Sequence, residues 1–225
     1  MLQVLGHAQA TPDAGILVVP VDLADPLLVV FFDSSWANAE GLKTHVGYLL
    51  LLADRSVLET PCRGTLLEHR SVRTPRVARS TLAGEAIAAT TAVDAAYFQA
   101  ALLFEVLRAV PSNRQDRTIP IVAVTDCKSL YDSVRAAKPT LNEKRTIIDS
   151  VAVNEVLAED GLRWCPTWAQ LADGMTKYTA ELVQGLASFL LDPAFCLVDT
   201  QDFIEDNTGM AAHRGKDRQN EVEAD

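Results

Sequence analysis

The stretch "LLVVFFDSSWAN", residues 27 to 38, places an aspartate and two serines directly behind six apolar residues. The run Leu27–Phe32 is short, starts after Pro26 and is rich in aliphatic and aromatic side chains, so it reads as a buried strand. Asp33 then stands at the tip of that strand. A carboxylate there is either an ordinary turn residue or a group held out for a cation. The rest of the chain bears on which.

Working outward, "VGYLLLL" (46–52) reads as a second strand, "ADRS" (53–56) as a turn, and "VLETPCRGTLLEHRSV" as one or two further strands of an antiparallel meander. The alanine-rich segment 80–110 predicts one long helix, capped by Ser80 or Thr81, with Glu85 in its first turn and burial on most faces. Pro111 ends it and residues 111–118 form a loop. "IPIVAVT" (119–125) is another buried strand, and it too is followed at once by an acid, Asp126. A helix from Cys127 comes next, then one over 141–161 capped by Asn142 and stopped by Gly161, a short strand over 162–168, and a final helical region. This order predicts an α/β three-layer fold: a mixed five-stranded sheet, three antiparallel strands then two parallel, flanked by helices. The expected organisation is an extended lead-in (1–26), one domain (27–192) and an acidic, disordered tail (193–225).

Composition sets the outer bounds. The chain has 225 residues, 48% hydrophobic and 22% charged, enough for a substantial core without disulfides. Its four cysteines form no CxxC pair and read as reduced thiols. The start lacks a basic region followed by an apolar stretch, and no apolar run approaches the roughly 18 to 20 residues of a bilayer span. The expectation is an intracellular protein, cytoplasmic or nuclear and not secreted, with no membrane partner. The net charge of −10 is unevenly spread: residues 199–225 alone carry −5, whereas Arg63–Arg79 holds five arginines against one glutamate. That basic stretch is either a solvated face or a phosphate-binding patch. Arg70, Arg73, Arg76, Arg79 and Lys128 are the candidate nucleic-acid contacts, and Lys177 a weaker one.

Four acids share one kind of setting. Asp33 and Asp126 each follow an apolar strand, and ligands of open α/β sheets collect at strand ends. Glu85 lies near the start of a charge-poor helix, and Asp173 sits among apolar neighbours in "QLADGMTK". Clustered carboxylates stay ionised together only around positive charge, and an all-carboxylate donor set suits Mg²⁺ or Mn²⁺. Two such ions serve in-line attack on a phosphodiester. Other chemistries lack their motifs: there is no GxGxxG, no GxxxxGK[ST], and no metal spacing among the histidines. Trp36, Trp164 and Trp168, each beside an acid motif, are either core residues or platforms for bases.

In order, "FFDSSWAN", "VARSTLAGEAIAA", "VTDCKSL" and "WCPTWAQLADGMTKY" resemble the ribonuclease H domain that ends the polyprotein of copia-type LTR retrotransposons. The resemblance covers about residues 27–180, and "PTWAQLADGMTK" is its most specific part. The chain departs from the family pattern at Ser35, Leu82, Cys127 and Ile147. The resemblance implies a metal-dependent endonuclease acting on the RNA strand of RNA–DNA hybrids. It also implies Asp33, Glu85, Asp126 and Asp173 as catalytic, metal-binding acids around two Mg²⁺ (or Mn²⁺) ions. Asp33 would bridge both ions, Glu85 and Asp126 would complete the leaving-group site, and Asp173 would hold the water-activating ion. The implied partners are the hybrid and a reverse transcriptase domain of the same polyprotein. The alternative is a catalytically silent relic that binds nucleic acid or supports a polymerase.

Overall fold

The computed structural model describes residues 15–109, 119–136, 143–157, 161–197 and 200. The expected loop after Pro111, the Asn142 cap, residues 1–14 of the lead-in and the tail apart from 193–197 and Thr200 lie outside the described residues.

A five-stranded sheet runs in the order β4 (Thr65–Arg73), β2 (Lys43–Asp54), β1 (Pro26–Ala39), β5 (Ile121–Thr125), β6 (Leu162–Trp164). The pairs β1–β2 and β2–β4 are antiparallel, and β1–β5 and β5–β6 are parallel. This is the expected sheet, three antiparallel strands followed by two parallel ones. β1 is central and buried on both faces, which explains its unbroken apolar run. Leu28, Val30 and Phe32 point into one core, and Leu27, Val29 and Phe31 into another. The first core is covered by α1 (Thr81–Arg108), α2 (Lys128–Arg135) and α3 (Lys144–Val156). The second lies towards α4 (Asp173–Thr176) and α5 (Ala180–Leu191). The result is three layers, helices on both faces of one sheet.

Several elements differ from the sequence expectation, each for a physical reason. β1 does not end at Asp33; it continues through Ser34 and Ser35 to Ala39, because β2 goes on pairing with it. Asp33 is at the end only of the parallel ladder, whose last pair is Phe31 with Val124. The turn at 53–56 is a 3₁₀ helix, Arg55–Leu58, in which Ser56 N–H donates to the Asp54 carboxylate. The strand expected over 162–168 stops at Trp164, and Thr167–Ala169 form a 3₁₀ turn after Pro166. The helix expected over 141–161 ends at Val156, well before Gly161, and its N-cap residue Glu143 makes no side-chain cap bond.

α1 is capped by the Ser80 hydroxyl, which accepts from Ala83 N–H. Its buried residues crowd into the first half, Ala83 to Ala96, and its second half exposes Phe98, Leu102 and Val106. Burial on most faces therefore holds for half of the helix. By length and composition alone α1 would suit a bilayer span, but its alanine-rich half is the part that packs on the sheet. The described part of the lead-in, from Gly15 to β1, has no helix or strand, and Val19 exchanges two hydrogen bonds with the Thr65 hydroxyl. Residues 193–197, placed with the tail by composition, are part of the packed body: β7 (Ala194–Phe195) pairs with β3 (Cys62–Arg63), and Leu197 is buried.

Candidate functional site

Asp33, Asp126 and Asp173 come together. One carboxylate oxygen from each lies within 4.8 Å of the others. They arrive from three elements: Asp33 from inside β1, Asp126 from the residue after β5, and Asp173 from the first position of α4. Asp33 and Asp173 are buried and Asp126 is half-buried.

The convergence depends on close approach between backbones. Asp33 pairs directly with Gly47 on β2. A β-carbon at Gly47 would stand 2.6 Å from Met175 Cβ and 2.9 Å from Thr176 Cγ2, so the bare glycine is what lets α4 settle against the sheet beside Asp33. Gly84 does the same on the other face, where a β-carbon would meet Ser34 Oγ at 2.9 Å. α1 thereby approaches β1 closely enough for Ser34 to donate to Glu85 Oε1 at 2.9 Å.

Glu85 itself is in the second turn of α1, not the first. It is buried, comes from the opposite face of β1, and lies outside the 4.8 Å trio. Its Oε2 is buried and has no hydrogen-bond partner. Burial above all, and then the charge of Asp33, lift its carboxyl to about 8. Burial likewise lifts Asp33 to about 6, against the opposing pull of the Thr176 hydroxyl and Lys177. Asp173 is raised too, again mainly by burial.

The segment "QLADGMTK" supplies most of the supporting contacts. Gln170, buried, donates from Nε2 to Phe32 O (3.1 Å), and its Oε1 accepts from Ala172 N–H. It thus continues the link between β1 and the segment carrying Asp173 just past the end of the parallel ladder. Thr176 donates its hydroxyl to Asp33 Oδ2. Lys177 donates to Asp173 Oδ1 at 2.7 Å and to Asp33 Oδ1 at 3.4 Å. Burial disfavours its charge, but the bond to Asp173 and the surrounding carboxylates outweigh that and raise its pKa. Asp126 is placed by its neighbours: Trp164 Nε1–H donates to its carbonyl at 2.9 Å, and Cys127 N–H donates to Thr125 Oγ1. Gln170, Thr176 and Ser34 escaped the sequence reading as functional residues. Their only signal was position, inside the same short motifs as the acids.

The basic candidates separate. In the β2–β4 ladder Arg73 lies opposite His45 and Ser71 opposite Gly47, so Arg73 shares the face of Asp33. Arg70, opposite Tyr48, is on the α1 face. Arg76 grips Asp149 of α3 with both terminal nitrogens, at 3.1 and 2.7 Å. Arg79 is exposed. Lys128 pairs with Asp132 and sits over the Tyr131 ring. Of the tryptophans, Trp36 and Trp168 are exposed and Trp164 is half-buried.

All donors in the centre are carboxylate oxygens, the set that hard divalent cations take. Buried acids so close together, with one oxygen orphaned, fit a missing positive charge. A hard divalent cation fits the residues present.

No family model matches the chain, and no curated protein matches it. Among solved structures it is similar to the RNase H1 of the halophilic archaeon Halobacterium salinarum NRC-1, at 15% identity and a TM-score of 0.46, over 70% of this chain and 98% of that one. It is also similar to the prototype foamy virus RNase H domain (15% identity, TM-score 0.36, 74% and 92% covered). A third likeness is to the prototype foamy virus protease-reverse transcriptase, at 14% identity and a TM-score of 0.35, where 78% of this chain spans 22% of that one.

Proposed function

We propose that the chain is a divalent-metal-dependent nuclease of the ribonuclease H kind, hydrolysing the RNA strand of RNA–DNA hybrids. The observation that carries this reading is the convergence of Asp33, Asp126 and Asp173 within 4.8 Å, beside the orphaned oxygen of Glu85. Burying these carboxylates side by side works against folding, and a fold that retains them makes sense if they hold cations. Asp33, Asp126, Asp173 and Glu85 would hold a pair of Mg²⁺ or Mn²⁺ ions. Such a pair, when bound, supplies an activated water and neutralises the leaving oxygen in an in-line displacement.

The chain's own residues orient the parts. Thr176 occupies Asp33 Oδ2 and Ser34 occupies Glu85 Oε1, so Asp33 Oδ1, which Lys177 also reaches, and Glu85 Oε2 are the oxygens that would serve the centre. Trp164 steadies the backbone at Asp126. In this reading Glu85 also senses a ribose 2′-hydroxyl, the group that distinguishes RNA from DNA. Arg73, Arg79 and Lys128 contact phosphates, with Arg70 reaching from the far face and Arg76 holding the loop through Asp149. Such contacts carry affinity and not sequence. The exposed Trp36 and Trp168 are stacking platforms.

The motif resemblance extends the proposal to a copia-type retrotransposon origin. It makes a reverse transcriptase domain of the same polyprotein the partner, and the cytoplasm or nucleus the place of action. The proposed catalytic domain is the 27–192 read from the sequence, extended by residues 193–197, which pack onto it. The deciding experiment is cleavage of a labelled RNA–DNA hybrid in Mg²⁺ and in Mn²⁺, with duplex DNA as the control substrate. Wild type cuts the RNA strand, and Asp33→Asn and Asp126→Asn lose at least about a hundredfold in rate. No cutting by folded wild type in either metal overturns the stand-alone enzyme. It would favour the second reading, a catalytically silent relic, for which the observation is Lys177, already neutralising two of the acids.

A further inference from the structure

The candidate metal centre already contains a cation belonging to the chain. Lys177 follows α4 directly, and its Nζ lies 2.7 Å from Asp173 Oδ1 and 3.4 Å from Asp33 Oδ1. Both acids belong to the trio within 4.8 Å. Thr176 already occupies Asp33 Oδ2, so Lys177 occupies the remaining oxygen of Asp33 and one of Asp173. A divalent cation ligated by the same Oδ1 atoms would stand against the ammonium, and like charges at such range repel strongly in a partly buried site. The two acid side chains are 2% and 4% exposed, whereas that of Lys177 is 36% exposed. The carboxylates therefore have nowhere to go, and the lysine does. Its four-carbon stem is flexible and can carry the ammonium into water while staying packed itself.

We propose that Lys177 is a displaceable placeholder: its ammonium holds Asp33 and Asp173 together in the metal-free chain and leaves them when a divalent cation binds. The inference rests on the reading of these acids as a metal centre. It gives the chain a preassembled site whose metal affinity is set by competition with an internal charge. The acids then need not scatter or take up protons each time the metal is lost.

The test uses the full chain and the cations alone, Mg²⁺ and the non-catalytic Ca²⁺, at one fixed pH. The first readout is the acylation rate of each lysine, followed by peptide mass spectrometry. Cation binding raises the reactivity of Lys177 by about threefold or more, while the exposed Lys43 of β2 is unchanged. The second is calorimetric cation affinity: Lys177→Met binds about threefold or more tightly than wild type, and the charge-retaining Lys177→Arg does not. Wild type that binds cation with unaltered Lys177 reactivity, and no gain in Lys177→Met, overturns the placeholder and leaves the metal centre standing. No cation binding by wild type or by either variant overturns both. Binding by Lys177→Met alone supports the placeholder in its strongest form. Should Lys177→Met fail to fold, the reactivity of wild type decides by itself.

Discussion

Glu85 and Asp173 are buried almost equally, 4% and 3% exposed, and the fold treats them in opposite ways. Asp173 receives an ammonium from one turn along its own segment, within a stretch that also supplies Gln170 and Thr176. Glu85 receives one hydroxyl from Ser34 on one oxygen and nothing on the other. Burial, and then the charge of Asp33, lift its carboxyl to about 8. One side of the centre thus carries its own compensation and the other does not. A core built only for stability would have compensated both, because an uncompensated buried acid destabilises without return. On the proposed reading, the asymmetry marks the Glu85 side as the one a bound cation would compensate.

The largest expected effect that probes this contrast is on pH dependence. Asp33 and Glu85 both have folded-state pKa values above their ordinary ones, about 6 and about 8. The stability linked to their protons is fully present below about pH 4 and is lost as pH rises through those values. Metal-free protein should therefore weaken from about pH 4 to about pH 8, with Asp33 alone contributing about 3 kcal/mol. Denaturant titrations in a chelator measure this. Glu85→Gln should remove the upper part of the slope, and saturating Mg²⁺ should flatten all of it. A flat metal-free profile would break the contrast between the two acids.

Next in size is Gly47→Leu, which forces α4 off the strand that carries Asp33. It should cost about 3 kcal/mol and abolish the Mg²⁺ response, because the compensated side would no longer meet the rest. Thermal unfolding with and without Mg²⁺ reads both effects, and an intact Mg²⁺ response would show that α4 does not need that close approach. The smallest is Arg76→Ala. Asp149 is nearly as buried as the site acids, and its partner is the Arg76 fork. Removing it makes a second orphaned acid and should cost about 1–2 kcal/mol, moderated because the arginine is half exposed. Hybrid binding should keep its salt dependence, whereas Arg73→Ala should lower the salt slope by about one. A change in slope with Arg76→Ala would place that arginine among the phosphate contacts after all.

Much of the sheet was legible because buried strands announce themselves as short apolar runs closed by prolines and acids. β1, β2 and β5 were found that way, and α1 by its length and its serine cap. Ends were less legible. β1 runs on past Asp33 because pairing with β2, a long-range contact, continues through polar residues that propensity would end on. Helix α3 is shorter than its periodic pattern for the converse reason, since helical propensity persists where packing stops.

The site divides along the same line. The four acids could be picked out from local context, each set against apolar neighbours where an isolated carboxylate is expensive. That three of them meet within 4.8 Å while Glu85 approaches from the other face was decided only by the tertiary structure. So was the division of labour among the arginines, which look alike in the sequence: Arg70 and Arg73 fall on opposite faces of β4, and Arg76, beyond it, meets Asp149. The physical reason is range. Burial preference, capping and turn chemistry act within a few residues and are written in the local sequence. Convergence depends on glycines at 47 and 84 meeting elements more than forty residues away, and no local pattern distinguishes such a glycine from one in a turn.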